Sequence, residues 1–146
     1  GEKLLAGFSK CTGLSSEYEV FKYREGHEIK DKKFPGFMTF PNVVLERGLS
    51  KDKYLRLWHQ FAVDMAKTGN LGPDVFGDVD DIDNFEFRRD IKIELYNKAS
   101  QSPVFWWILH GAWPCKLDDG ELDAQSSNIM IERCEFAYEY LTRHTK

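Results

Sequence analysis

Two acidic segments contain the residues whose types and spacing come nearest to a chemical site. The first, DVDDIDNFE over 78–86, suggests a calcium-binding loop, but Ile82 takes the place of the third oxygen ligand and the turn glycine is absent. The second, KLDDGELDA over 116–124, offers carboxylates that would supply an acid and a base for sugar hydrolysis. Acidic clusters are common in glycine-containing turns, so we interpret both segments as solvated loops. The carboxylates of the second segment are Asp118, Asp119, Glu121 and Asp123.

The histidines and cysteines form no recognisable site along the chain. No histidine lies in an H-x-x-x-H or H-E-x-x-H pattern, and we expect His59 at a helix rim and His110 as a hydrogen-bonded interior residue. The cysteines lack CxxC spacing and are expected to be reduced and packed; they are Cys11, Cys115 and Cys134. G-x-S-x-G, Walker and G-x-G-x-x-G motifs are also missing. The sequence therefore predicts no catalytic residue, no metal, no cofactor and no enzyme activity.

The composition predicts one soluble domain that covers residues 1–146. Apolar residues make up 42% of the chain, enough for a core, and charges of both signs sum to −4. No basic run concentrates the charge needed to grip a phosphate backbone, so specific nucleic-acid recognition is not expected. The longest apolar run, VFWWILHGAW, is too short for a membrane segment. The first ten residues lack a signal-peptide pattern, so we expect synthesis in the cytoplasm.

Most of the periodic segments favour strands. EYEVFKY over 17–23 and RDIKIELYN over 89–97 alternate with a period of two, and the second should have one wet face. VFWWILHGAW over 104–113 is rich in β-branched and aromatic residues without alternation, which predicts a strand covered on both sides. NIMIERCEFAYEYL over 128–141 fits a strand or, as the weaker choice, a C-terminal helix, and we interpret it as a strand.

One segment has the periodicity of an amphipathic helix, over about 51–67. Ser50 is the predicted N-cap, and Gly69 is a plausible stop. The predicted apolar stripe is Tyr54, Leu57, Trp58, Phe61, Ala62 and Met65. Together these elements predict an α+β fold, mainly β, whose curled or doubled sheet is closed on one side by the helix.

Three long segments separate the predicted elements and are interpreted as loops. They cover 24–41, 69–84 and 115–128. Each is long for a compact domain, and loops of that length are usually functional or ordered by a partner.

Taken in order, the motifs resemble the tail tube family of contractile phage tails and extracellular contractile injection systems, which is related in fold to the tube protein of type VI secretion. The pieces that carry the resemblance are YREG over 23–26, PNVVLERGL over 41–49 and AWPCK over 112–116. The similarity extends from Gly7 to about Leu141. Members of this family usually have a further strand before this region, so the sequence does not decide whether the barrel closes.

The resemblance implies a small antiparallel β-barrel or sandwich with one flanking helix and long assembly loops. It also implies that six copies form a ring, that rings stack into a hollow tube, and that a sheath, a baseplate or hub and a terminator protein are partners. Such a tube conducts cargo or DNA and forms part of a phage tail or an extracellular injection particle. The strand over 42–48 belongs to the barrel, and the helix braces it.

The same resemblance implies which residues make contacts between subunits. The extended loop over 25–41 would reach a neighbouring subunit or the next ring through Glu25, Gly26, Lys30, Asp31, Lys32, Lys33, Phe34, Pro35, Gly36 and Phe37. On the helix, Lys53, Tyr54 and Arg56 are candidates for contact with a neighbour. For the channel wall, the polar strand faces offer Glu19, Asp90, Lys92, Glu94 and Glu132.

Two other functions remain open at this point. A monomeric β-barrel could bind a small apolar ligand through Phe105, Trp106, Trp107 and Trp113. A hydrolase could use the acidic loop, in which case Asp118 and Asp123 would be needed for turnover.

Overall fold

The computed structural model describes residues 7–48, 53–68, 87–125 and 130–146. One helix, α1, covers Tyr54–Thr68. The strands are β1 (Lys10–Thr12), β2 (Glu17–Tyr23), β3 (Lys32–Thr39), β4 (Val43–Gly48), β5 (Arg89–Tyr96), β6 (Pro103–Asp118), β7 (Ile131–Ala137) and β8 (Tyr140–Thr145).

The strands form a curled antiparallel sheet and a separate hairpin. In the sheet the order is β1-β4-β7-β6-β5, and β8 also pairs with β6. The first part of β6 lies between β5 and β8, whereas its last part pairs with β7. Strands β7 and β8 therefore follow one another along the same side of β6. The result is a half-barrel that confirms the predicted mainly β fold with a flanking helix.

The sheet bends where β7 gives way to β8. Gly111 has a φ of +64°, a conformation that favours glycine, and a Cβ there would lie 2.8 Å from the Glu139 side chain. A second irregularity shifts the β6–β7 register between Pro114 and Lys116. These two changes turn β6 out of a flat sheet, because irregular positions increase local bend and twist.

The helix packs on the core face of this sheet, but its apolar stripe differs from the prediction. Leu55, Trp58 and Phe61 are buried, while Leu57 is 40% exposed. The stripe was wrong at Leu57 because several apolar residues in this helix fit a period of 3.6 on more than one face. The predicted N-cap Ser50 and stop Gly69 lie outside the described residues, and within them the helix begins at Tyr54.

The core joins the helix to the centre of the sheet. Its buried members are Val43, Leu45, Leu55, Trp58, Leu109, Ala112, Cys134 and Phe136. Trp58 packs against Phe136 with ring centroids 5.8 Å apart and donates its indole N–H to the Phe87 carbonyl oxygen at 2.6 Å. The indole polar atom is thus satisfied inside the core.

Four strand predictions are confirmed. EYEVFKY forms β2 and RDIKIELYN forms β5. The described part of the C-terminal segment is extended rather than helical, although it forms two strands, β7 and β8, instead of one. VFWWILHGAW lies in β6, but it is covered on both sides only in part. Leu109 is buried, whereas Val104 is exposed and Trp106 and Trp107 are half-buried.

The predictions of two of the three loops were partly wrong. Within 24–41, Lys32–Thr39 forms β3, because Pro35 and Gly36 do not make a turn but lie where the β2–β3 register shifts. An edge strand tolerates proline at such a position. Within 115–128, the residues up to Asp118 continue β6. The third predicted loop, 69–84, and the acidic segment 78–86 lie outside the described residues.

Candidate assembly surface

The hairpin made by β2 and β3 stands apart from the other described elements. Its ladder pairs Phe21 with Phe34 and Val20 with Pro35. Neither strand contacts any other helix or strand of the described chain. A two-stranded hairpin is marginally stable by itself, so an element of this kind gains stability when another surface covers it.

Both faces of the hairpin carry exposed apolar side chains. Tyr18, Val20 and Met38 share one face, while Phe21 and Phe34 lie on the other. Each of these side chains is at least 40% exposed. A group of exposed apolar side chains on one element is typical of an interaction site. We name this element the assembly hairpin, residues 17–39.

The ten loop residues predicted to contact other subunits all lie in the assembly hairpin. Four occupy its tip, where Arg24 and Asp31 form an ion pair at 2.7 Å. The other six lie in β3. Position 36 requires glycine within the hairpin itself, because a Cβ there would lie 2.4 Å from the Phe21 ring. Ile29, which the sequence analysis did not single out, is 94% exposed at the tip.

The helix candidates are less available than predicted. Tyr54 packs against Trp58, and its hydroxyl accepts a hydrogen bond from Arg89 Nη1 at 2.6 Å. Arg56 forms an ion pair with Asp119. Lys53, just before the helix, is exposed. Tyr54 thus belongs to the packing between α1 and β5, and because it is only half-buried its contact with a neighbour stays a prediction.

Three of the predicted channel residues share one face of β5, the face turned away from the core. Lys92 Nζ lies 2.7 Å from Glu94 Oε1, and Asp90 Oδ1 accepts a hydrogen bond from the Gly111 N–H at 3.1 Å. The hydrogen bond from Lys92, and then that from Tyr96, lower the pKa of Glu94. The fold thus collects these three residues into one polar surface.

The other two channel candidates lie elsewhere. Glu19 is in the assembly hairpin. Glu132 is 3% exposed and accepts a hydrogen bond from Arg47 Nε at 3.1 Å inside the half-barrel. Its selection as a wall residue was wrong, because alternation along β7 places it on the core face with Cys134 and Phe136.

The outer edge of β8 is a structural feature that the sequence analysis missed. Strand β4 covers β7 along Val43–Gly48, but no described strand pairs with β8 on that side. Phe40 lies between the assembly hairpin and β4, and its ring is 5.9 Å from that of Tyr138, at the point where β7 ends and β8 begins. On the N-terminal side of Phe40 the chain turns away from β8 into the hairpin. Pro41 between β3 and β4 was the available signal, because it separates two strands that would otherwise form one.

The residues considered for chemistry have structural partners. Asp118 accepts a hydrogen bond from the Gly120 N–H at 2.8 Å, and Asp123 accepts one from the Gln125 N–H at 2.9 Å. His110 is half-buried, stacks on Tyr140 and lies 3.1 Å from the Thr142 hydroxyl. In the described ranges, no three His, Cys, Asp or Glu residues are grouped to hold a metal ion.

The cysteines are free thiols, as predicted. Cys134 is fully buried, and burial raises the pKa of its thiol to about 12. Cys11 and Cys115 are partly buried, and burial raises the pKa of each. Helix α1, the helix within the described residues, is too short and too polar to cross a membrane.

The described residues form a curled sheet braced by a helix, an apolar hairpin that contacts no other described element, and a strand edge with no described partner. These features define a structural module for assembly. A family model described as T4-like virus tail tube protein gp19 matches residues 1–142. The chain therefore belongs to the tail tube family, in agreement with the motifs of its sequence. Membership makes it a structural tube subunit and not a member of an enzyme family.

Solved structures share this fold. A chain of the anti-feeding prophage baseplate is 26% identical, with 96% of this chain and 82% of that chain covered and a TM-score of 0.72. A chain of the cap that terminates the tube of the same particle is 23% identical, with coverage of 97% and 82% and a TM-score of 0.70. A chain of the PVC sheath-tube complex of an extracellular contractile injection system is 22% identical, with coverage of 97% and 82% and a TM-score of 0.68. A comparison with curated proteins gives no match.

Proposed function

We propose that six copies of this chain form a ring, and that the rings stack into the hollow inner tube of a contractile injection particle or phage tail. The observation that carries this proposal is the assembly hairpin, which exposes apolar residues on both faces and contacts no other element of the described chain. Such an element fits a subunit that completes its packing only against other copies of itself.

The comparisons support the partners of this assembly. The baseplate structure with a similar chain is six-fold symmetrised, which supports a ring of six. Similar chains also occur in a tube-terminating cap and in a sheath-tube complex. By analogy, the partners of this chain are a sheath, a baseplate or hub and a terminator, and its place is in the assembled particle.

In this assembly the hairpin supplies most of the apolar contact between subunits. Burial of one large apolar side chain contributes about 1.5–3 kcal/mol, so several side chains together provide a substantial part of a stable contact. The exposed members available for it include Tyr18, Val20, Phe21, Phe34, Phe37 and Met38. Two exposed ion pairs, Arg24–Asp31 and Lys32–Glu28, lie at this end of the hairpin, and each adds little to its stability before assembly.

The face of β5 that carries Asp90, Lys92 and Glu94 would line the channel, because it is polar and points away from the core. Lys92 and Glu94 neutralise one another at 2.7 Å. A wall whose charges are paired at short range exerts a weak field on whatever passes along it. The role is structural: the tube guides cargo or DNA and carries out no reaction.

Electron microscopy in negative stain, together with the mass in solution, tests the proposal. We expect rings or tubes with sixfold end views for the wild type. The double variant Phe21→Ser, Phe34→Ser should lose stacking but keep the cooperative unfolding of the half-barrel. Leu122→Ser is the matched control, because Leu122 is an exposed apolar residue in a loop outside the hairpin, and it should assemble normally.

A different outcome would favour the ligand-binding barrel. If the wild type stayed monomeric at high concentration, even with a baseplate partner added, and bound a hydrophobic dye at one saturable site, the tube proposal would fail. Tubes formed equally well by the hairpin variant would show that assembly depends on another surface.

A further inference from the structure

The open edge of β8 is a place for one additional strand. Six residues, Tyr140–Thr145, pair with β6 on one side, and no described strand pairs with them on the other. The edge contains neither proline nor a register shift against β6, two features with which proteins commonly prevent pairing at an edge. An uninterrupted edge of this length can accept a strand from another chain.

The chain's own β3 leaves this place unfilled. Strand β4 pairs with β7 as far as Val43 opposite Phe136, and β8 continues the line of β7. A straight extension of β4 toward its N-terminus would run beside β8. Pro41 and its neighbours instead separate β3 from β4, so that the assembly hairpin contacts neither β8 nor the rest of the sheet. Within the described residues nothing occupies the place beside β8, and the hairpin of a second copy would fit there.

Charge selects which strand of the hairpin fits. From 140 to 146 the chain carries Arg143 and Lys146 and no acidic residue. Strand β3 carries Lys32 and Lys33 and no acidic residue, so it would place like charges opposite each other. Strand β2 carries Glu17 and Glu19 in its first half. Neither glutamate has an ion pair in the described structure, and both are exposed.

We propose that β2 of a second copy pairs antiparallel with the outer edge of β8, with Glu19 opposite Arg143. The antiparallel direction follows because the acidic residues are in the first half of β2 and the basic residues are in the last part of the β8 segment. In this register Phe21 lies opposite Leu141, and Val20 lies opposite Thr142. The apolar and charged positions of the two strands then match together.

The inference rests on the proposed function and specifies one contact of the assembly. It makes the sheet of each subunit continuous with the hairpin of another. Backbone hydrogen bonds of an added strand supply affinity, while the side-chain match supplies the register. The contact also pairs the outer edge of β2, and it places the exposed Phe21 beside Leu141 on the same face of the joined sheet.

A disulfide between copies tests the pairing. Val20→Cys and Thr142→Cys are combined in one chain, which is assembled and then oxidised. Strands β2 and β8 make no contact within one subunit, and a disulfide needs Cα atoms within about 7 Å. Covalent dimers and longer products on a non-reducing gel would therefore report a bond between copies. The single variants, oxidised in the same way, measure any contribution of the native thiols.

The matched control is Pro35→Cys combined with Thr142→Cys. Pro35 lies opposite Val20 across the hairpin, one strand farther from β8 in the proposed contact. Cross-linked products from the Val20 pair and their loss in the Pro35 pair would support the inference. Tubes that give no product, or equal product from both pairs, would overturn the inference and leave the proposed function intact. If neither rings nor cross-links form, both fail.

A charge exchange gives a second readout that does not depend on thiols. Glu19→Arg and Arg143→Glu should each reduce the assembled fraction, and the two together should restore it, because the exchange rebuilds the ion pair in the opposite sense. Monomer unfolding should be unchanged in all three variants. Two single variants that lose assembly without recovery in the double variant would contradict the proposed register.

Discussion

The same dipeptide, Glu-Arg, occurs in two neighbouring strands, and its two ion pairs lie on opposite faces of the sheet. In β4 it is Glu46-Arg47, and in β7 it is Glu132-Arg133. The antiparallel register places Glu46 opposite Arg133 and Arg47 opposite Glu132. The first pair, at 2.6 Å, is on the outer face, and the second, at 3.1 Å, is buried beside the core.

We expect burial, more than distance, to decide what each ion pair contributes to stability. The outer pair is the shorter one, but water competes for it, and Lys10 lies 3.9 Å from the same glutamate. The buried arginine has one nitrogen, Nη2, without a hydrogen-bond partner, and its guanidinium lies over the Phe8 ring. Removing either buried partner would leave a charge that the interior cannot stabilise.

The largest effect is expected at the buried pair. Glu132→Gln should lower the free energy of unfolding by about 3–5 kcal/mol, because Arg47 would remain charged and desolvated. Urea denaturation of the monomer measures this loss. The double variant Arg47→Leu, Glu132→Leu is the control and should recover most of it, since an apolar pair of similar volume replaces both charges. A single variant as stable as the wild type would show that the pair is not desolvated.

The thiol of Cys134 shows the effect of burial on a group that is neutral when protonated. A pKa of about 12 leaves Cys134 almost entirely protonated at pH 8.5, so its alkylation should be slower than that of an unfolded thiol by a factor on the order of 10³. Because the folded-state pKa lies above the unfolded value, folding stability should be fully present below about pH 8.5 and fall as the pH rises toward 12. Mass spectrometry during iodoacetamide treatment measures the rate. Rapid labelling of Cys134 in the folded protein would contradict its burial.

Two leucines on the same face of the sheet provide an apolar version of the comparison. Leu109 is fully buried and Leu95 is 54% exposed, although both point to the core side of β5 and β6. Leu109→Ala should lower the free energy of unfolding by about 2–5 kcal/mol because it leaves a cavity. Leu95→Ala should change it by no more than about 0.5 kcal/mol in the monomer. Thermal or urea unfolding of both variants decides this, and equal losses would mean that the outer end of the sheet is also packed.

The smallest effect is expected at the outer pair. Glu46→Gln should leave the urea midpoint close to that of the wild type, and any difference should disappear in 0.5 M salt, because screening removes exposed ion pairs. The buried variant Glu132→Gln should keep its loss at the same salt concentration. If Glu46→Gln were as destabilising as Glu132→Gln, the contrast between the two faces would be lost.

Much of the fold was predictable because local patterns agreed with the tertiary structure. Alternation gave β2 and β5 with nearly correct bounds, and the helix was clear from its periodicity. Strand β3 was missed because Pro35 and Gly36 usually signal a turn, whereas here they lie at a register shift in an edge strand. The choice of Leu57 over Leu55 failed because periodicity alone does not fix which side of a helix meets the sheet.

The assembly residues could be predicted only where they lie in a motif shared with the family. The hairpin segment was selected through the family resemblance, but its apolar faces depend on a cross-strand register that the sequence does not state. Glu132 was misplaced for a similar reason, since a glutamate on a strand is normally assigned to water. Its partner Arg47 is 85 residues away in the sequence, so the pairing becomes visible only when β4 and β7 are aligned.

The 16-residue strand β6 has a mechanical consequence. At about 3.3 Å per residue it extends roughly 50 Å, and it takes part in both halves of the sheet. Force applied along the subunit is therefore carried from one half to the other by covalent bonds, whereas strands that ended at the junction would transmit it through hydrogen bonds that can slide. The irregularities at Gly111 and between Pro114 and Lys116 bend this strand without interrupting it. A tube subunit that is pushed from one end is stiffened by such a continuous strand.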